Sequence, residues 1–122
     1  MGIRYAVVGA TGNVGREIMQ ILAEREVPAS DVTALASARS VGAQVSYGED
    51  DVLEVAELAT FEFEGTDIVL SSPGSQVSAE HSPRAAAAGA VVIDNTSCFR
   101  MDPDVPLVVP EVNADALADW RN

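Results

Sequence analysis

Apolar and polar positions change period repeatedly along the 122-residue chain, and the changes predict strands alternating with helices. Residues 3–9 form a near-continuous apolar run that reads as a strand. Ile18, Met19, Ile21 and Leu22 fall at helical spacing and predict a helix over 13–25, ended by Val27-Pro28. Residues 32–36, introduced by Ser30-Asp31, read as a second strand. Between 43 and 64 the alternation is less regular, and Val45, Tyr47, Val52, Leu53 and Val55 predict small strands beside the main sheet. Residues 67–72 are a buried-strand run ending in the turn Pro73-Gly74. Residues 79–88 read as a helix, in which Pro83 must sit in the first turns or break the element, and which Gly89 stops. Residues 90–94 and 107–109 read as further strands, and Asn113 as the cap of a closing helix through Trp120.

Strands this apolar, alternating with helices, predict an α/β fold. It is a Rossmann-like, doubly wound, mostly parallel sheet with helices on both faces. Such sheets bind ligands beyond the carboxyl ends of their strands. The loops that matter are therefore 9–15, 37–40, 72–75 and 94–100.

The first of these loops is Gly9-Ala10-Thr11-Gly12-Asn13-Val14-Gly15. A glycine turn between a first strand and a first helix is how a dinucleotide-binding fold approaches a pyrophosphate. Gly9 permits the sharp turn, Gly12 leaves room for phosphate, and Gly15 lets helix and strand pack closely. The helix start near Asn13 adds free N–H groups and a positive dipole end. The spacing is G-x-x-G-x-x-G, one residue off the commoner form, and glycine turns of this kind also occur without a ligand. No Gly-Lys-Ser/Thr follows, which excludes the phosphate loop of nucleotide hydrolases.

At the end of the second strand, where NAD-specific folds place an acid, stands Ser37-Ala38-Arg39-Ser40. An arginine and two hydroxyls suit a 2′-phosphate, which predicts NADP as cofactor; the alternative is a surface loop whose Arg39 balances nearby acids. In the loop after residue 94, Asn95 and Arg100 suit a phosphate or carboxylate, and Arg100 pairing with Asp102 or Asp104 is the structural alternative.

Composition narrows the partners. Nineteen acidic residues stand against seven arginines and no lysine, a formal net charge of −12. A chain this acidic repels nucleic acid and anionic membranes, so neither is expected as a partner. It opposes an anionic cofactor too, unless arginines reverse the field locally. The acid excess suits a solvated surface in a salty cytoplasm, and drift in a GC-rich genome would produce the same composition. No apolar stretch reaches the roughly 18 residues that span a bilayer. Met1-Gly2-Ile3-Arg4 leads straight into a strand, and the single cysteine forms no internal disulfide, so the expected compartment is the cytoplasm. One Cys and one His make no credible metal site.

The glycine turn, the run Ala36-Ser37-Ala38-Arg39-Ser40, and residues 93–100 continuing through Met101-Asp102-Pro103-Asp104-Val105-Pro106-Leu107-Val108-Val109-Pro110-Glu111-Val112-Asn113 together resemble the aspartate-β-semialdehyde dehydrogenases. The likeness runs from near residue 4 to Asn113. It implies an NADP-dependent aldehyde dehydrogenase acting on an acyl phosphate. Such enzymes reductively dephosphorylate β-aspartyl phosphate to aspartate semialdehyde for lysine, methionine and threonine synthesis. By the same resemblance, Thr11, Gly12, Asn13 and Val14 would line the pyrophosphate and Ser37, Arg39 and Ser40 would receive the 2′-phosphate. Ser72 and Gly74 would lie along the cofactor, and Asn95 and Arg100 would hold the substrate phosphate. The related N-acetyl-glutamyl-phosphate reductases, and a non-catalytic NADP-binding module, are the competing readings.

The family uses a cysteine nucleophile, in an Asn-Cys pair a short stretch beyond the position of Asn113, and a histidine acid/base further on. Neither lies within this sequence. The resemblance thus implies a cofactor-binding domain over 1–122, with catalytic residues and second domain expected after Asn122, in a homodimer or homotetramer. Cys98 does not occupy the nucleophile's place in the family block. Near Arg100 it could be activated, and it could equally be an inert small apolar residue. His81, near a helix start, reads as a surface or capping residue.

A charge of −12 on a small domain repels itself, and added salt screens the repulsion. The melting temperature is expected to rise between low and molar KCl; a flat or falling trend would contradict self-repulsion.

Overall fold

A computed structural model describes residues 3–94 of the chain. The elements are β1 (Tyr5–Val8), α1 (Asn13–Glu24), β2 (Val32–Ala36), β3 (Gln44–Tyr47), β4 (Asp51–Glu54), β5 (Ala56–Glu57), β6 (Ile68–Ser71), α2 (Ser75–Ala87) and β7 (Val91–Asp94). The strand expected at 107–109 and the closing helix from Asn113 lie outside the described residues.

Five strands form one sheet in the order β5-β2-β1-β6-β7, and every pairing in it is parallel. β1 is central. Its Tyr5 stands opposite Val32 on one side and Ile68 on the other. Side chains of a strand alternate between faces, and here both faces are covered. Val7 joins Ala34, Ala36, Met19 and Leu22 in a core under α1. Ala6 and Val8 join Leu35, Val69 and Ala85 in a second core under α2. Covering on both sides is why β1 and β2 read as continuous apolar runs. The expected doubly wound, Rossmann-like sheet is thus present, with one described helix on each face. Neither helix is long and apolar enough to cross a membrane.

α1 turns Gly15, Met19 and Leu22 inward, at i, i+4 and i+7, and leaves Ile21 exposed. It ends in a Schellman arrangement: Glu26 N–H donates to the Ala23 carbonyl and Val27 N–H to the Leu22 carbonyl, each at 3.0 Å. Glu26 adopts φ 64° to close it. α2 ends in the same way at Gly89, with Ala90 N–H on the Ala85 carbonyl.

Two expectations need correction. α2 begins at Ser75, not at residue 79, so Pro83 is its ninth residue and the helix continues past it to Ala87. The proline costs about 3 kcal/mol in a helix interior. Anchors on both sides offset that cost: Ser78 and Ser82 are buried and hydrogen-bonded to each other, and Ala85 is fully buried. The small strands also divide. β3 and β4 form a separate antiparallel hairpin, whereas β5 pairs with β2 and is the edge of the main sheet.

Tyr47 fastens the hairpin to the rest. Its ring is buried and its hydroxyl donates to the Val27 carbonyl at 2.6 Å, just beyond α1. Burial, and then the nearby Asp51, Tyr5 and Asp31, raise its pKa above the usual tyrosine value. A raised folded-state pKa contributes stability that is complete below about pH 10, the unfolded value, and is lost as pH rises through the folded value. Tyr47→Phe should cost about 1 kcal/mol at neutral pH and lose stability less steeply above pH 10 than wild type. Parallel alkaline unfolding curves would contradict this account.

Candidate functional site

The sheet order reverses between β1 and β6, because the chain proceeds outward through β2 from one and through β7 from the other. Crevices at such points are where open α/β sheets bind ligands. Three loops converge there.

The loop after β1 is tied down by backbone alone. Gly9 and Ala10 donate to the Leu35 carbonyl of β2 at 2.9 and 3.2 Å, and Gly12 donates to the Gly9 carbonyl at 3.0 Å. Gly9 has φ 84°, and a Cβ there would also lie 2.9 Å from the Ser72 carbonyl oxygen. A Cβ on Gly15 would lie 2.2 Å from the Gly9 carbonyl oxygen. Both glycines are demanded by the protein itself. Gly12 is different: its φ is −80°, and an added Cβ would meet only the Gly9 oxygen, at an ordinary 3.5 Å. The space beside it is open. Gly12 also caps α1 without a side-chain hydrogen bond, and the first turn, with Asn13 and Val14 exposed, holds no acid. The positive end of the helix is uncompensated there.

The loop after β6 lies alongside. Ser72 N–H donates to the Val8 carbonyl at 3.0 Å, and its hydroxyl reaches the same oxygen at 3.4 Å. Gly74, at φ 106°, starts α2. The loop after β2 folds into a single turn over Ala38–Ser40, with Ser40 N–H on the Ser37 carbonyl. Arg39 is exposed on it. Among the described residues the only basic and acidic side chains within 4.0 Å of each other are His81 and Glu80, so Arg39 is not consumed by a described acid.

A cleft of about 440 Å³ opens between these loops. It brings together Gly9, Thr11, Gly12, Ser37 and Ser72 of the expected site. Asn13, Val14, Arg39, Ser40 and Gly74 are not in its wall, but each lies within two residues of one that is. Asn95, Cys98 and Arg100 lie outside the described residues. The opposite wall was not foreseen: Glu57, Leu58 and Ala59 after β5, and Val77 and His81 on α2. Only fold topology brings these there, since no local pattern marks them. His81 also corrects its expectation. It sits mid-helix with its side chain 12% exposed, receives a hydrogen bond from Arg84, and faces the cleft. A larger hollow of about 780 Å³ lies between α1 and the β3–β4 hairpin, with Glu24, Glu49 and Asp50 in its wall against the one cation Arg16. Those carboxylates make it unsuited to an anionic ligand.

Beyond the cleft, Asp94 ends β7 and accepts a hydrogen bond from the buried Ser78, which is also bonded to Ser82. Among the described residues no group of His, Cys, Asp and Glu is arranged to hold a metal ion.

Comparison with known proteins agrees with this geometry. The family described as semialdehyde dehydrogenase, NAD binding domain, matches residues 4–120. An aspartate-semialdehyde dehydrogenase of Rickettsia conorii is 50% identical over 116 residues, which is 95% of this chain and 34% of that protein. One from Aquifex aeolicus is 46% identical over 121 residues, 99% of this chain and 36% of that protein. The chain thus spans about a third of the length of these relatives. The crystal structure of aspartate semialdehyde dehydrogenase II from Vibrio cholerae superposes with a TM-score of 0.91 at 44% identity, covering all of this chain and 36% of that one. The Candida albicans enzyme, solved with NADP, superposes at 0.74 with 28% identity, over 96% of this chain and 36% of that one. With residues 4–120 matched by the family model, the chain belongs to the family of semialdehyde dehydrogenase NAD-binding domains.

Proposed function

We propose that this chain is the NADP-binding part of an oxidoreductase that reductively dephosphorylates β-aspartyl phosphate to aspartate semialdehyde. The observation that carries the reading is the open cradle at Gly12, beside an unmasked helix start and in the same cleft as the Ser37–Ser40 loop. A glycine that the protein's own packing does not require, at the mouth of the cleft, leaves room for a ligand. The identities of 46–50% to aspartate-semialdehyde dehydrogenases favour this substrate over the N-acetyl-glutamyl phosphate alternative.

The roles follow from position. The N–H groups of the first turn of α1, at Asn13 and Val14, with Thr11 and Gly12, would bind the pyrophosphate. Ser37, Arg39 and Ser40 would take the 2′-phosphate by charge-assisted hydrogen bonds. Ser72 and Gly74 would flank the remainder of the cofactor. NADPH, when bound, supplies the hydride. Asn95 and Arg100 are proposed to hold the substrate phosphate. No residue of this chain is assigned as nucleophile or acid/base; those are proposed to follow Asn122, with residues 1–122 forming the cofactor domain. The complete enzyme is proposed to be a cytoplasmic homodimer or homotetramer.

Arg39→Ala should weaken NADPH binding roughly 10- to 100-fold, as expected for a hydrogen bond to a charged group, and leave NADH binding unchanged. Equal affinities of wild type for the two cofactors, or an unchanged ratio in the variant, would refute the NADP assignment. Glu57 supports the one competing reading. It is a carboxylate in the cleft wall, held by Thr60 at 3.2 Å, and an acid there would suit the ribose hydroxyl of NAD. If NAD is the cofactor, Glu57→Gln rather than Arg39→Ala will lower affinity.

Gly12→Ala is expected to melt with wild type yet lose at least about tenfold in NADPH affinity, one tenfold step being about 1.4 kcal/mol. Gly15→Ala should lose the fold instead. Unimpaired binding by the Gly12 variant would remove the cradle. The 122-residue chain should bind NADPH but reduce no NADP with semialdehyde and phosphate. Turnover abolished by Cys98→Ser would instead make Cys98 the nucleophile.

A further inference from the structure

One side chain links the two segments that form the wall of the cleft opposite the glycine turn. Arg84, half-buried on α2, donates from Nη1 to the Phe61 carbonyl at 2.5 Å and from Nη2 to the Leu58 carbonyl at 2.7 Å. Its guanidinium lies 4.8 Å from the centre of the Phe63 ring, which meets Phe61 edge-on at 5.1 Å. These contacts tie the segment after β5 to the helix after β6.

Nη2 of Arg84 also lies 3.1 Å from Nδ1 of His81. A guanidinium has donors and no acceptor. Nδ1 must therefore accept, and the ring's N–H is assigned to Nε2. The carboxylate of Glu80 is 3.6 Å from Nε2 and belongs to a side chain 76% exposed, too distant for a hydrogen bond. His81 thus lines the cleft, and its Nε2–H donates to no described residue.

We propose that Arg84 is a positioning residue for this cleft, and that the His81 it holds donates Nε2–H to the adenosine half of the cofactor. The proposal rests on the dinucleotide reading of the cleft. The adenosine half is specified by place and chemistry. His81 shares the cleft with Ala36, Ser37 and Ala38 at the end of β2, the strand end that reads the adenosine ribose in this fold. Leu58, Ala59 and Val77 give that wall an apolar surface suited to a flat purine, with His81 as the polar group that fixes its orientation. A purine edge offers ring nitrogens as acceptors. Arginine is needed at 84 because its rigid fork satisfies two carbonyls and an imidazole together, which the single ammonium of lysine does not reproduce.

The test uses the full chain and measures dissociation constants for NADPH and for 2′,5′-ADP, which carries only the adenosine half. His81→Phe keeps a ring and loses the donor; it should weaken both ligands about three- to tenfold. His81→Gln keeps an acceptor for Arg84 and a donor for the ligand, and should restore both affinities to near wild type. Arg84→Lys should weaken the same two ligands, and its effect should not add to that of His81→Phe, because the two act through one contact. If Arg84→Lys does not fold, the two His81 variants decide alone. Affinities unchanged by His81→Phe, or lost equally in His81→Gln, overturn the proposal and leave the cofactor reading standing. A wild-type chain that binds neither NADPH nor 2′,5′-ADP overturns both.

Discussion

The approach of α1 to β1 is the constraint on which the rest of the site depends. A methyl group at position 15 would sit 2.2 Å from the Gly9 oxygen, so the helix can dock where it does only with glycine there. That docking places the start of α1 over the carboxyl end of the central strand. The turn required to enter it at Gly9 presses equally on Ser72, which is hydrogen-bonded back to Val8. Two backbone contacts thus align the loops after β1 and β6, and the crevice between them follows. Interiors packed to this density leave no slack for a methyl. Gly12 stands outside the constraint, which separates the glycines that make the scaffold from the one that leaves room on it.

α2 supplies the other wall through its periodicity. Val77 and His81, four residues apart, line the cleft. Ser78 and Ser82, one step round the helix, are buried toward Asp94 at the end of β7. Ala85 continues that buried stripe into the core, and Arg84 reaches across to the segment after β5. One helix therefore touches the cleft on one face and the strand end leading to Asn95 on the next. Pro83 removes one backbone hydrogen bond from the middle of this element, and side-chain contacts on either side keep it in register.

Local pattern was sufficient for much of this. Continuous apolar runs marked β1 and β2 because parallel strands covered on both faces need no alternation, and β6 and β7 carried the same signal. The glycine turn was legible because Gly9 and Gly15 each answer a local steric demand, and so was the ending of α2 at Gly89. The start of α2 was not: Ser75, Gln76 and Ser78 are polar, and Val77 alone among them is too little to mark a helical face. Its first turns are set by Gly74 and by Ser78 reaching Asp94, sixteen residues away. The far wall of the cleft was illegible for a related reason. Leu58, Val77 and His81 meet only because β5 and β6 lie on opposite sides of the β1–β2 pair, a fact of strand order. His81 read as a surface residue because a helix starting at 79 puts it in the first turn, whereas the helix starts at Ser75 and puts it in the middle.

Electrostatics sets the terms on which so acidic a chain holds an anion. A net charge of −12 acts at long range, and at molar salt the Debye length shrinks to about 3 Å. Hydrogen-bond contacts, at about the same length and with no room for an ion between the partners, survive screening. The cleft is built for the short range. Its wall carries a single carboxylate, Glu57, engaged by Thr60, whereas Glu24, Glu49 and Asp50 are gathered at the separate hollow beside α1. Arg39 at one end, Arg84 behind His81 and the bare start of α1 supply positive potential within the first few ångströms. Salt that relieves the repulsion of the whole domain therefore also relieves its repulsion of a dinucleotide, while the local contacts persist. On this account ionic strength would draw binding and stability in the same direction, the reverse of the loss expected when a basic protein grips a polyanion.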